Sequence, residues 1–440
     1  MNDSAPSIHS EVIQLIQAIH ASDYQAVVAV TGGGSHAISQ LLMVPGASRT
    51  ILEARIPYAP SAFEDWLKGW TGQACSGPAA RAMAMAAWER ARQLAPAANP
   101  QQWVGLACTA SLATDRPKQG AHRIHVAVQT ASHTGLISLT LHKGARNRIQ
   151  EEQVAAHMLL CMLAQACAVE IASNFPAVQK LLKSDERLET TRQVAPSAWT
   201  ELLLGQRQWV GHAGDPIGTK EGQSLRTDQE NFSPLASPPI LFPGAFNPPH
   251  VGHLRIAHLA AEHLQRTVHW ELSIRNVDKP TLDFVEIARR LAELQALGNP
   301  SGGRNRTDQE PGICQGVVLT AAPTFLDKAR LFPGSLFVVG ADTITRIGEL
   351  RYYHHNQRQR DQTLDELASL GCRFLVFGRL MVDAPDHQVQ SLREGQAVEN
   401  SQVSFRTLGE LQLPDSLRAL CQEMTAAEFR FDICSRDLRG

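Results

Sequence analysis

The chain has 440 residues, of which 43% are hydrophobic, 19% charged and 6% aromatic. That length fits roughly two or three domains, and the apolar share is ample for packed cores, which excludes disorder over most of the chain. With 41 Lys+Arg against 43 Asp+Glu the net charge is −2, so a broad electrostatic hold on nucleic acid or an anionic membrane is excluded, and any phosphate-binding capacity must be local.

The opening residues 1–6 are polar and acidic, with no basic stretch leading into an apolar run, so no signal peptide is expected. Residues 11–20 have helical spacing. A continuous apolar run, 26–30 (AVVAV), reads as a buried parallel strand, and the turn Thr-Gly-Gly-Gly-Ser at 31–35 leads into a helix over 37–42. An Ala-rich helix over 77–94 follows, then strands over 104–109, 125–130 and 136–141. A long helix over 150–172 closes this block. Its most apolar part is interrupted by His157, Gln165 and Glu170, so it reads as a buried core helix and not a membrane span. The βα alternation predicts an α/β layered domain over 1–205.

Residues 206–239 are rich in Gly, Pro, Ser and polar side chains, keep no apolar period and read as a linker. Alternation resumes beyond it, with strands predicted over 239–242, 268–274, 317–320, 335–339 and 374–377 and helices over 252–264 and 283–297. The stretch 298–312 reads as an exposed loop. This predicts a Rossmann-like, doubly wound parallel sheet over 240–440, with its ligand site past the carboxyl ends of the strands. The eight cysteines show no CxxC pair and mostly sit among apolar neighbours, so a reduced, cytoplasmic setting is expected.

The segment Gly244-Ala245-Phe246-Asn247-Pro248-Pro249-His250-Val251-Gly252-His253 comes straight after a predicted strand and opens a predicted helix. Its chemistry suits phosphate. Gly244 permits a tight turn and a close approach of the backbone to a ligand. The helix start offers free N–H groups and the positive end of a dipole. Two imidazoles three residues apart can face one site and donate hydrogen bonds without a permanent charge.

These residues resemble the HxGH nucleotidyltransferase superfamily and, within it, the bacterial nicotinate/nicotinamide mononucleotide adenylyltransferases. Further matches follow in order: 273–280 with Lys279, Arg289-Arg290, Thr320–Phe325 (TAAPTF), Phe337–Thr343 (FVVGADT) and Ile433–Arg439 (ICSRDLR). The resemblance implies transfer of a nucleotidyl group from a nucleoside triphosphate, ATP expected, to a pyridine mononucleotide in NAD synthesis or salvage. It implies catalytic roles for His250, His253 and Lys279. It implies nucleotide contacts at Gly244, Ala245, Phe246, Asn247, Gly252, Gly340, Asp342, Ser435 and Arg439, and substrate contacts at Thr324 and Phe325. Mg²⁺ would arrive on the triphosphate with few protein ligands. The sequence departs from the pattern at Cys434 and Arg436, where the family has Ser and Thr, and at 351–355 (RYYHH), where it has a Trp-rich segment.

In the N-terminal block, Thr31-Gly32-Gly33, 44–48 (VPGAS), Tyr58, 76–84 (SGPAARAMA), 105–109 and Lys118-Gln119-Gly120 resemble the CinA C-terminal domain, a family that includes nicotinamide mononucleotide deamidases. Where that family has a Ser important for deamidation this chain has Ala29, and where it has a Lys this chain has Phe63. Alanine offers no hydroxyl and phenylalanine no ammonium, so the deamidase mechanism is expected to be lost. Ser35, Ser48 and Tyr58 could still line a pocket, and the 32–35 turn could hold a phosphate.

Four readings stay open at this level. They are an adenylyltransferase, a cytidylyltransferase-like enzyme with another acceptor, a nucleotide-binding sensor without turnover, and a retained deamidase. The expected partners are small-molecule nucleotides, with no nucleic acid and no membrane; a homo-oligomer is left open.

Overall fold

The computed structural model describes residues 8–116, 119–169, 176–213, 238–298, 316–383 and 402–424. The chain divides into two compact units. One comprises residues up to Arg207 together with Ile274–Ala288, and the other comprises Gln208–Ser273 and the residues from Arg289 on.

The first unit runs α1 (Ile8–His20), β1 (Gln25–Thr31), α2 (Ser35–Met43), α3 (Ala47–Thr50), β2 (Ile51–Arg55), α4 (Pro60–Trp66), α5 (Gly77–Leu94), β3 (Trp103–Ser111), β4 (His122–Gln129), β5 (His133–Leu141), α6 (Arg148–Ala166), α7 (Pro176–Gln179), β6 (Leu188–Val194) and α8 (Ser197–Leu204). Its sheet has the order β2-β1-β3-β4-β5-β6. The strands β2, β1 and β3 are parallel, whereas β3 through β6 form an antiparallel meander. Buried side chains of β1 meet both layers: Val28 and Val30 join the cluster under α1 and α6, and Ala29 joins the one under α5. The Ala-rich composition of α5 has a steric cause. A Cβ on Gly105 of β3 would stand 2.0 Å from the Ala84 carbonyl oxygen, so helix and strand touch backbone to backbone and only small side chains fit between them.

Helix α6 ends at Ala166, short of the expected 172. The Cys167 amide bonds the Leu163 carbonyl and the Val169 amide bonds the Ala164 carbonyl. Between them Ala168 adopts φ +56, so the chain turns out of the helix in a left-handed cap. Residues 170–172 of the expected helix lie outside the described residues, as does Lys118.

The second unit opens earlier than the sequence suggests. Trp209–Ala213, read above as linker, forms β7 and pairs antiparallel with β10 (Gly316–Thr320). The remaining elements are β8 (Ile240–Pro243), α9 (Val251–Leu264), β9 (Val268–Ser273), α10 (Phe284–Gly298), α11 (Phe325–Leu331), β11 (Leu336–Gly340), α12 (Ala341–Gly348), α13 (Gln357–Ser369), β12 (Arg373–Phe377), the hairpin β13 (Arg379–Asp383) and β14 (Gln402–Arg406), and β15 (Cys421–Met424). The sheet order is β15-β12-β11-β8-β9-β10-β7, parallel throughout except for β7. Setting β7 aside, the strands follow the chain-order pattern 3-2-1-4-5-6 of a doubly wound fold. The order reverses between β8 and β11, so a crevice is expected where the loops leaving their carboxyl ends diverge.

Among the described residues no helix is long and apolar enough to cross a membrane. Six cysteines are described, all as free thiols, and burial pushes Cys161, Cys167 and Cys421 up to about 12.

Candidate nucleotide-binding site at the strand-order reversal

The loop leaving β8 carries the Gly244–His250 segment. Phe246 sits there at φ +45, a conformation that strains a non-glycine residue, and the 247–248 peptide bond is cis. Packing holds Phe246 in place. Its ring is 2% exposed and meets Trp270 at 5.0 Å, Phe242 at 5.6 Å and His253 at 5.1 Å, all edge to face. Gly244 is required by this ring and not by its own dihedral angle: a Cβ there would stand 2.5 Å from the tip of Phe246. Two arginines of α10 brace the loop. Arg290, 8% exposed, donates to the Ala245 carbonyl at 2.9 Å, and Arg289 donates to Asn247 Oδ1 at 2.6 Å and to Glu293 at 2.6 Å.

His250 caps α9. Its Nδ1 accepts from the Gly252 amide at 3.1 Å, and its own amide donates to His253 Nδ1 at 3.1 Å. The two rings lie 3.8 Å apart. This corrects one expectation. The sequence reading has free N–H groups at the helix start, but the Gly252 amide goes to the His250 ring and the His253 amide to the His250 carbonyl. An Nδ1 that accepts cannot carry the ring proton, so each neutral imidazole holds it on Nε2. Each ring thus takes up a backbone N–H on one side and becomes an N–H donor on the other. Burial, with His250 and the Arg379 guanidinium adding to it, pushes His253 down to about 3, so it is neutral at physiological pH.

On the other side of the strand-order reversal, Gly340 ends β11 and caps α12, with Asp342 in its first turn. Asp342 Oδ2 accepts from Arg379 at 2.8 Å, while Oδ1 is buried with no hydrogen-bond partner among the described residues. A Cβ on Gly340 would stand 2.9 Å from that oxygen. Arg379 was not singled out by sequence. It lies one residue beyond the Gly378 that follows β12, and only its pairing with Asp342 and its charge on His253 tie it to the site.

The expected substrate residues have structural work. Thr324 caps α11, its hydroxyl accepting from the Asp327 amide at 3.1 Å and donating to the Asp327 carboxylate at 2.6 Å. Phe325 packs on Phe337 and Phe374 at 5.4 and 5.7 Å. Behind this turn lies a buried pair the sequence reading missed. Lys328 donates to Glu271 at 2.9 Å and to the Ala322 carbonyl at 2.7 Å, and Thr320 donates to the same Glu271 oxygen at 2.5 Å. Lys279 is exposed and falls in the 274–288 segment grouped with the first unit. Ser435, Arg439 and the rest of 433–439 lie outside the described residues.

In the first unit the 32–35 turn is already filled. Glu152 of α6 accepts from the Gly34 amide at 3.0 Å, the His36 amide at 3.0 Å and the Ser35 hydroxyl at 3.1 Å, and Arg148 donates to the Gly32 carbonyl at 3.0 Å. Beside it is a cleft of about 450 Å³ lined by Ser35, His36, Ser39, Arg148, Ile149, Glu152 and Gln153. Ser48 and Tyr58 are not among its lining residues. Ala29 and Phe63 lie together in one apolar cluster with Leu67, Ala80 and Met83, which leaves no polar group at either position.

Residues 241–399 match the family model described as Cytidylyltransferase-like. A curated relative, a probable nicotinate-nucleotide adenylyltransferase of Exiguobacterium sibiricum, is 28% identical over 192 residues, covering 42% of this chain and 95% of the relative. Two solved structures are also similar. The competence-damaged protein (CinA) superfamily protein from Enterobacter cloacae has 14% identity and a TM-score of 0.30, over 38% of this chain and 96% of that one. The competence/damage inducible protein CihA from Agrobacterium tumefaciens has 18% identity and a TM-score of 0.26, over 39% and 98%. Within the second unit, residues 241–399 are therefore similar to cytidylyltransferase-like domains, and the chain has a distant similarity to a nicotinate-nucleotide adenylyltransferase.

Proposed function

We propose that the second unit transfers an adenylyl group from ATP to the phosphate of nicotinate or nicotinamide mononucleotide. An oxygen of the acceptor phosphate attacks the α-phosphorus in line. The bond from the α-phosphorus to the bridging oxygen breaks, and pyrophosphate leaves with the electron pair. The observation that carries this reading is the pair of Nδ1-anchored imidazoles at the strand-order reversal. Their Nε2–H groups suit oxygens of the α- and β-phosphates, where charge develops during transfer. Because neither ring needs a proton to serve, they hold and stabilise the phosphates without acting as acids.

Arg290 holds the Ala245 carbonyl and Arg289 the Asn247 side chain, keeping both rings aimed. Gly340 and Asp342 contact the nucleotide, and the unpartnered Asp342 Oδ1 suits a sugar hydroxyl or a water on a hard cation. Mg²⁺ carried on the triphosphate would screen its charge and needs few ligands from the protein. The acceptor assignment is supported by the Exiguobacterium relative, whose name gives nicotinate nucleotide as substrate. A cytidylyl transfer is the second reading, favoured by the description of the family model. Deamidation by the first unit is not part of the proposal, since Ala29 and Phe63 supply neither nucleophile nor cation.

The test is pyrophosphate release by the full chain with Mg²⁺, ATP or CTP, and each pyridine mononucleotide. Release with ATP and either acceptor is expected. Release with CTP alone would favour the second reading, and tight nucleotide binding without release from any pair would overturn both.

A further inference from the structure

Glu271 of β9 and Lys328 of α11 are 1% and 5% exposed, so a carboxylate and an ammonium meet inside the second unit. One oxygen of Glu271 accepts from Lys328 at 2.9 Å and from the Thr320 hydroxyl at 2.5 Å. Both donors also hold Ala322. Lys328 donates to its carbonyl at 2.7 Å, and the Thr320 hydroxyl accepts from its amide at 3.3 Å. The two backbone polar groups of this buried turn residue are thus tied, through two side chains, to a single carboxylate oxygen. At the far end of the turn the Thr324 cap starts α11. The turn 321–324, which leaves β10 at its carboxyl end, is therefore fixed at both ends. Glu271 also reaches the loop that carries the histidines. Its backbone carbonyl accepts from the Gly244 amide at 3.1 Å, so one residue joins the turn after β10 to the loop after β8.

A buried ion pair adds little to net stability, because apolar side chains of similar size do as well or better. Apolar side chains could not, however, supply a donor to the Ala322 carbonyl. The pair's effect is therefore on the shape of the turn. In-line transfer puts the acceptor oxygen and the departing pyrophosphate on opposite sides of the α-phosphorus. His250, His253, Gly340 and Asp342 border the reversal between β8 and β11. The strand order runs β11-β8-β9-β10, so the turn after β10 lies on the other flank of the 244–250 loop. Resting on the function proposed above, we propose that Glu271 and Lys328 are positioning residues for the acceptor. They set the turn 321–324 as the wall against which the mononucleotide is held, and do not touch it themselves.

Wild type, Glu271→Gln and the double variant Glu271→Leu/Lys328→Met are compared as full chains. Calorimetry gives the affinities for nicotinate and nicotinamide mononucleotide and, separately, for a non-hydrolysable ATP analogue. Pyrophosphate release gives KM for each substrate, and urea unfolding gives stability. The double variant strands no charge, so it is expected to unfold at the wild-type urea midpoint. It should bind the mononucleotide about tenfold more weakly, with KM for it raised in step, and keep its affinity for the ATP analogue within about twofold. Glu271→Gln keeps an acceptor for both Thr320 and Lys328, so a smaller loss of mononucleotide affinity is expected. Equal losses for both ligands, or none for the mononucleotide, would overturn the proposal. Wild type that binds the mononucleotide without releasing pyrophosphate would defeat the proposed function, while the affinities still decide this one. Turnover with an unchanged acceptor KM in the double variant would defeat this one alone, and wild type without affinity for either mononucleotide would defeat both.

Discussion

Each unit places a glycine-bearing turn between a central parallel strand and the start of a helix, and the two satisfy that helix start in opposite ways. At 32–36 an internal carboxylate, Glu152, takes two backbone N–H groups and a hydroxyl. At 244–253 two imidazole rings take the N–H groups through their Nδ1 atoms. The first turn is served by an anion from its own chain and has little left to offer a second one. The second turn is served by imidazoles, whose outward N–H groups an external phosphate can use. Glycine before a helix is therefore common to both, and what fills the first-turn donors separates the turn at 32–36 from the proposed phosphate site at 244–253.

The comparison breaks most sharply at His253. His253→Ala removes one ring donor and the acceptor for the His250 amide, and is expected to lower kcat for pyrophosphate release by about 10²–10³-fold. Turnover equal to wild type would remove the imidazoles from the mechanism.

Acid is the next probe. Folded His253 titrates at about 3, below the ordinary value of 6.5. The unfolded chain therefore binds the proton more readily, so this ring's contribution is intact above 6.5 and is lost as pH falls from 6.5 towards 3. At about pH 4.5 the loss is about 3 kcal/mol. His253→Gln, which does not titrate, should show a smaller drop in urea midpoint between about pH 7 and about pH 4.5 than wild type; equal drops would contradict the buried neutral ring.

Gly244→Ala presses a methyl into the Phe246 ring and is expected to destabilise the second unit by about 2 kcal/mol. A thermal melt of the variant that matches wild type would show that the loop accommodates the added carbon. The smallest effect sharpens the other half of the comparison. Glu152→Ala is expected to cost about 1 kcal/mol, because the site is partly solvated. It should also make the melting transition of the first unit rise with added phosphate by more than in wild type. A variant indifferent to phosphate would mean that the emptied turn is no anion site.

Much of this was legible in the sequence. The central strands β1 and β8 read as continuous apolar runs because both of their faces are covered, and the turn after each was marked by glycine. The residues of β6, LETTRQV, carried no signal, since nearly all are exposed and the strand is held by backbone pairing with β5. β7 was hidden inside a polar stretch because its partner β10 lies far along the chain. The fate of Lys279 was illegible for the same reason. Its segment follows β9, but its contacts are to residues such as Arg81, 202 positions before Asp283. The histidine motif singled out His250 and His253, but not that their Nδ1 atoms bond the backbone, because that depends on the φ and ψ of the cap itself.

The most direct test of the central claim is a long-range ¹H–¹⁵N spectrum of the histidine rings in the full chain, recorded from about pH 7 to about pH 4.5 with and without a non-hydrolysable ATP analogue. The account predicts the Nε2–H tautomer for both His250 and His253, a His253 ring that stays neutral throughout, and movement of both Nε2 signals when the nucleotide binds. An Nδ1–H tautomer at either ring, protonation of His253 near its ordinary value of 6.5, or Nε2 signals unmoved by bound nucleotide would contradict it.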